Sequence, residues 1–167
     1  KTRSTIIIYG RTPQATWNTF GPNRRAMIPD LYPHQKEAVE KLSNGKVLWG
    51  GVGTGKSLTI LAYYLTKLCP GEDKKDIYVI TTAKKRDEGD WQEEAAKLGI
   101  STDPNLSSAG TLHIDSWNNV GKYVGIKDAY FVFDEQRVVG TGAWAKAFVK
   151  IARENSWNLL SATPGDT

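Results

Sequence analysis

Gly50-Gly51-Val52-Gly53-Thr54-Gly55-Lys56-Ser57 is the stretch that most limits what this chain can become. It satisfies G-x-x-x-x-G-K-[ST] and lies between an apolar run, Lys46 to Trp49, and a helix-compatible segment that begins near Lys56. Glycines at this spacing let successive backbone N–H groups curl around a phosphate at the positive end of the following helix. Gly51, Gly53, Thr54 and Gly55 would form that cradle, Lys56 would reach the β and γ phosphates, and Ser57 would place its hydroxyl on Mg²⁺. The competing explanation is a Gly-rich turn that happens to precede Lys-Ser. With Gly at roughly 7% of residues, a chance match in a chain of this size is about a one per cent event, and the strand and helix on either side lower it further. The sequence thus predicts a nucleotide site.

Around this loop, apolar runs of strand length recur at Val47-Leu48-Trp49, Ile77-Tyr78-Val79-Ile80, Leu112-His113-Ile114, Tyr130-Phe131-Val132-Phe133 and Trp157-Asn158-Leu159-Leu160. Between them lie helix-compatible segments at 56–68, 88–98, 116–121 and 143–154, and a short helix from Pro33 precedes the first run. Strands that alternate with helices and are apolar on consecutive positions imply an α/β domain, a mostly parallel sheet covered by helices on both faces. Residues 1–30 carry the run Ile6-Ile7-Ile8-Tyr9 and then a Pro- and Gly-punctuated stretch, expected as an N-terminal extension packed on the domain formed by residues 31–167. A length of 167 residues with 40% hydrophobic content suits one domain.

Composition removes several function classes. The single cysteine, Cys69, rules out an internal disulfide framework, and with only His34 and His113 beside it no Cys/His zinc cluster can be assembled. No apolar stretch reaches bilayer-spanning length and the start is unlike a signal peptide, so a cytoplasmic setting without membrane contact is expected. A net charge of +4 would suit a polyanion, though many unrelated proteins are equally basic.

Two further patterns follow the loop. Val132-Phe133-Asp134-Glu135 is an apolar run that ends in two carboxylates, where a doubly wound sheet places its ligand-binding edge. Asp134 would hold the Mg²⁺ shell and Glu135 would polarise the attacking water; alone, the pair is better explained by an acidic strand end, and its place after Lys56 in a chain with a phosphate loop makes the functional reading the better one. Leu160-Ser161-Ala162-Thr163-Pro164 follows the last apolar run with small hydroxyl residues able to sense a γ phosphate.

Leu31-Tyr32-Pro33-His34-Gln35, the phosphate loop, Asp134-Glu135 and Ser161-Ala162-Thr163 stand in the order of superfamily 2 helicase motifs Q, I, II and III. Within that superfamily the chain resembles Swi/Snf-type translocases: Val79 to Lys85 followed by Asp90-Trp91-Gln92-Glu93-Glu94 looks like their motif Ia with its Trp-x-x-Glu helix, and Asp115-Ser116-Trp117 looks like motif Ib. The resemblance implies a RecA-like lobe that binds ATP with Mg²⁺ and works on nucleic acid, DNA more than RNA. It implies that Gln35 reads the adenine, that Ser161, Ala162 and Thr163 couple nucleotide state to movement, and that Lys84, Lys85, Arg86 and Ser116 meet the nucleic acid. Lys84, Lys85 and Arg86 are equally explained as a solvated basic turn balanced by Asp87 and Glu88. Trp91, Trp117, Trp144 and Trp157 are expected in packing, and none is given a base to stack on.

The chain departs from the family in reading Asp134-Glu135-Gln136-Arg137, which puts a fixed cation, Arg137, where His or Asp is common. Motifs IV to VI and their arginine finger are absent from these 167 residues, so the resemblance implies a partner lobe elsewhere, and so compact a lobe would fit a bacterium or a phage. The alternatives are a small P-loop phosphotransferase, a stand-alone ATPase, and a non-catalytic nucleic-acid-binding module. The first does not need Gln35 or Ser161-Ala162-Thr163, and the last leaves Lys56, Asp134 and Glu135 without a joint purpose.

Overall fold

The computed structural model describes residues 31–50, 55–70, 74–134 and 142–161, together with the backbone of residues 5–8. The strands are β1 (Thr5–Ile8), β2 (Val47–Gly50), β3 (Ile77–Thr81), β4 (Leu112–Ser116), β5 (Tyr130–Asp134) and β6 (Ser156–Ser161). They form a six-stranded sheet in the order β1-β2-β6-β5-β3-β4, and every neighbouring pair is parallel. The helices are α1 (Pro33–Lys41), α2 (Lys56–Tyr63), α3 (Ala83–Glu88), α4 (Asp90–Lys97) and α5 (Ala143–Glu154), with a π-helical turn at Tyr64–Leu68 and a 3₁₀ helix at Trp117–Tyr123.

Consecutive apolar positions divide between two cores because strand side chains alternate across a sheet. On one face Leu48, Ile77, Val79, Tyr130, Val132 and Leu160 pack against α1, α2 and α4 through Val39, Leu61 and Trp91. On the other, Val47, Tyr78, Ile80, Phe131, Phe133 and Leu159 meet Trp117 and Val120 of the 3₁₀ helix and Ala147 and Ile151 of α5. The expected fold class, an α/β domain with a parallel sheet and helices on both faces, is the observed one.

Buried amides hold the register. Asn158, fully buried, accepts the Tyr130 hydroxyl at 2.7 Å and donates to the carbonyls of Ser43 and Lys46 at 2.9 and 3.0 Å, tying the entry of β2 to β5 and β6. Asn155 closes the end of α5 by donating to the Ile151 carbonyl at 2.9 Å and accepting from the Ala129 amide at 2.8 Å. Each pairs polar groups whose burial without a partner would cost about 1–3 kcal/mol.

Three details differ from the sequence expectation. The helix over 56–68 is regular only to Tyr63; the Cys69 amide then bonds to the Tyr64 carbonyl at 2.9 Å, an i to i+5 turn. That turn sits beside a Tyr64 hydroxyl that donates to the Lys75 carbonyl and accepts from the Gly110 amide at 2.9 Å. Residues 84–86, expected in a loop, belong to α3, whose first turn is capped by the Thr82 hydroxyl accepting the Lys85 amide at 3.2 Å. The segment 116–121 forms a 3₁₀ helix shifted to Trp117–Tyr123. Among the described residues no helix is long and apolar enough to cross a membrane.

Candidate functional site

Because the sheet is parallel, Gly50, Ser161, Asp134, Thr81 and Ser116 all close their strands at the same edge. The interleaved order, with β6 and β5 between β2 and β3, makes the chain leave β2 through α2 and return three strands away, which opens a crevice at this edge. Register aligns Trp49 with Ser161 and Leu160 with Asp134, bringing the ends of β2, β6 and β5 level.

Gly55 starts α2 with φ 78° and ψ 37°, left-handed backbone that glycine adopts without a Cβ penalty. Its carbonyl accepts the Thr59 amide at 3.0 Å and the Thr59 hydroxyl at 2.8 Å. Lys56 is the first residue of the helix, and its ammonium reaches back to the Gly50 carbonyl at 2.6 Å and the Ser161 carbonyl at 3.1 Å. A cation is thereby held over the ends of two adjacent strands, at the amino terminus of α2.

Asp134 is the acidic counterpart, with its side chain 6% exposed. Its Oδ2 accepts from the Thr81 hydroxyl at 3.0 Å, the Trp91 indole at 3.3 Å and the Lys85 ammonium at 3.5 Å, while its backbone carbonyl accepts the Trp117 indole at 2.9 Å. Both indoles are buried, and a buried indole N–H needs an acceptor, so one residue anchors two tryptophans. Sequence reading gives Thr81, Trp91 and Trp117 no role at Asp134. The available signal was chemical: a carboxylate at the end of an all-apolar strand must draw donors from neighbouring elements.

Lys56, Ser57, Lys85 and Asp134 line one cavity of about 290 Å³ together with Asp90, Trp91, Glu93 and Glu94 of α4. Among the described lining residues four carboxylates face two ammonium groups. A polyphosphate entering this setting needs further positive charge. The donors fit Mg²⁺: Ser57 and Asp134 offer a hydroxyl and a carboxylate oxygen, and no group of three or more His, Cys, Asp or Glu forms a protein cage among the described residues. Mg²⁺ typically takes one or two carboxylates and completes its shell with water and phosphate.

Gln35 is fully buried, with its oxygen accepting the Tyr32 amide at 2.9 Å and its nitrogen donating to the Gly55 carbonyl at 3.5 Å. Its amide is engaged with backbone on both sides, so in this structure Gln35 joins α1 to the start of α2. Ser116 is buried as well, at 1% exposure, and offers a nucleic acid no surface. Arg86 is held by Asp87 at 3.0 Å and Asp115 at 3.1 Å, whereas Lys84 projects with its side chain 85% exposed beside Glu88.

Asp115 gathers the Tyr123 hydroxyl at 2.6 Å, the Asn119 amide at 2.8 Å and the Ser116 backbone N–H at 2.7 Å together with Arg86. Burial alone would raise its pKa, but these four donors outweigh burial and bring it down to about 2. Tyr123 is pushed up to about 12 by burial and by the Asp115 carboxylate.

Gly51, Gly53, Thr54, Glu135, Gln136, Arg137, Ala162 and Thr163 lie outside the described residues. Of the residues expected in one nucleotide site, the structure brings together Gly55, Lys56, Ser57, Asp134 and Ser161, and adds Lys85 to the same crevice.

No family model matches the chain, and no curated protein matches it. Among solved structures, the Sulfolobus solfataricus SWI2/SNF2 ATPase core in complex with dsDNA superposes with a TM-score of 0.62 over 86% of this chain, at 16% identity. The match covers 33% of that protein's chain, so the present chain spans about a third of its length. The Phi-28 gp11 DNA packaging motor aligns at a TM-score of 0.47 and 12% identity over 75% of this chain and 48% of that one. At such identity a likeness establishes fold, and the described residues have the α/β, RecA-like fold of the SWI2/SNF2 ATPase core.

Proposed function

We propose that this chain is the ATP-binding lobe of a nucleic-acid-dependent ATPase, a helicase or duplex DNA translocase, which couples ATP hydrolysis to movement when joined to a second RecA-like lobe. The observation that carries this reading is the convergence of Lys56, Ser57 and Asp134 on one cavity at the carboxyl edge of a parallel sheet. A cation at a helix amino terminus, a hydroxyl and a buried carboxylate are what a Mg²⁺-bound triphosphate requires of a protein.

In this reading residues 31–167 are the lobe, and residues 1–30 are an extension that contributes β1 to the sheet edge. Gly51, Gly53, Thr54 and Gly55 cradle the phosphates, Lys56 neutralises the β and γ oxygens, and Ser57 and Asp134 hold Mg²⁺. The metal supplies charge neutralisation at the phosphates when bound. Glu135 orients and deprotonates the attacking water, while Ser161, Ala162, Thr163 and Arg137 relay phosphate loss. Lys56 already touches the Ser161 carbonyl, which supports a connection between the phosphate lysine and the last strand.

Nucleic acid is the proposed partner, with DNA preferred to RNA because the structural neighbour is a complex with duplex DNA. Lys84 on the exposed face of α3 is the residue best placed to meet a phosphate backbone; Arg86 would have to leave Asp115 to do so. Steady-state ATP hydrolysis by a protein carrying this chain and a second lobe, measured with and without duplex DNA, tests the reading. Turnover should rise with DNA and vanish in Glu135→Gln. Turnover unaffected by DNA or RNA would leave a P-loop phosphotransferase or stand-alone ATPase as the better description.

A further inference from the structure

Lys85 does not lie where a strand-gripping residue is expected. The Thr82 cap fixes the first turn of α3 so that the Lys85 side chain passes over the sheet edge, and its ammonium stops 3.5 Å from the Asp134 carboxylate in the cavity shared with Lys56 and Ser57. Asp134 is itself immobilised by Thr81 and Trp91. The Lys85 side chain remains 42% exposed and is carried on a flexible four-carbon stem.

Resting on the nucleotide-site reading above, we propose that Lys85 is an exchangeable counter-cation of Asp134: it neutralises the carboxylate in the metal-free chain and leaves when a divalent cation arrives with the nucleotide. The chemistry follows from charge. Asp134 is buried and needs a positive partner, and a doubly charged ion at the same carboxylate would repel the ammonium at close range. Lys85 follows Lys84 in α3 and is 42% exposed, so in this proposal its release would add a positive charge to the surface proposed to meet nucleic acid. Cation loading and the basic surface are then linked, and linkage is reciprocal: a polyanion that holds Lys85 away from Asp134 should tighten divalent binding.

The test is the Mg²⁺ concentration needed for half-maximal binding of a fluorescent ATP analogue, in the parent chain, in Lys85→Met and in Lys85→Arg. Methionine keeps the apolar stem and removes the competing charge, so the Mg²⁺ midpoint should fall about fivefold, the scale of a partly exposed ion pair. Arginine keeps the charge and should hold the midpoint near the parent's. An unchanged or raised midpoint in Lys85→Met overturns the proposal, a raised one making Lys85 a phosphate ligand. The two readings fail differently. Binding that survives Lys56→Ala, or a parent that binds no analogue with Mg²⁺ present, removes the nucleotide site and the exchange with it; Lys56-dependent binding with an unmoved midpoint removes the exchange alone. Circular dichroism on each variant excludes misfolding, and agreement between Lys85→Arg and the parent excludes a packing effect.

Discussion

The Trp91 indole donates to the Asp134 carboxylate across 3.3 Å, joining the first turn of α4 to the end of the central strand β5. The contact ties the element that resembles the Trp-x-x-Glu helix of motif Ia to the acid proposed to hold Mg²⁺. Replacing Trp91 by Phe keeps most of the ring packing and removes only the donor. Hydrogen bonds to charged groups are worth about 1.5–3 kcal/mol, and at this length the lower end is expected. Urea unfolding should show that loss; unaltered stability would mean the indole contributes packing alone.

Asp115 gives a pH prediction. Its folded pKa of about 2 lies below the ordinary carboxylate value of 3.8. It therefore contributes stability that is present above about pH 4 and is lost as pH falls toward 2. Comparing urea midpoints at pH 4.5 and pH 2.5, the parent should lose more on acidification than Asp115→Asn, in which this carboxylate no longer titrates. Equal losses would show that the four donors around Asp115 do not favour its charged form.

Gly110 tests the packing of the β3–β4 side of the sheet. A Cβ there would lie 2.1 Å from the Lys75 carbonyl oxygen and 2.7 Å from the Asp76 nitrogen, both backbone atoms with no rotamer to change. Gly110→Ala should cost about 3 kcal/mol, the upper end of overpacking penalties. A variant as stable as the parent would contradict the close approach of these two segments.

Much of this architecture was legible because strand side chains alternate and both faces are covered. Tyr130 to Phe133 reads as an unbroken apolar run since Tyr130 and Val132 enter one core and Phe131 and Phe133 the other. Helix α3 was not legible, because Ala-Lys-Lys-Arg-Asp-Glu buries no residue and carries no apolar period; a hydroxyl cap defines its start. In the site, Lys56, Ser57 and Asp134 could be singled out by spacing and strand position. Thr81, Trp91 and Lys85 could not be assigned to Asp134, since they come from β3, α4 and α3, and only the strand order β5-β3 brings them to one carboxylate.

Gln35 separates two roles by experiment. With its amide held between the Tyr32 N–H and the Gly55 carbonyl, Gln35→Ala should cost roughly 1–3 kcal/mol through unpaired buried backbone groups. It should also weaken ATP and GTP alike by loosening the start of α2. Parallel titrations with both nucleotides decide; a loss confined to ATP would return Gln35 to reading the base.

The central claim is that the crevice at the ends of β2, β5 and β6 is a nucleotide site in which Lys56 meets the phosphates. Titrating the chain with a fluorescent ATP analogue and Mg²⁺, beside Lys56→Ala, tests it directly. The ammonium is held against the Gly50 and Ser161 carbonyls at 2.6 and 3.1 Å, close to where the polyphosphate would lie. Its loss removes charge-assisted contacts worth about 1.5–3 kcal/mol, so affinity should drop at least about tenfold. Equal affinity in parent and variant, with both chains folded, would contradict the account.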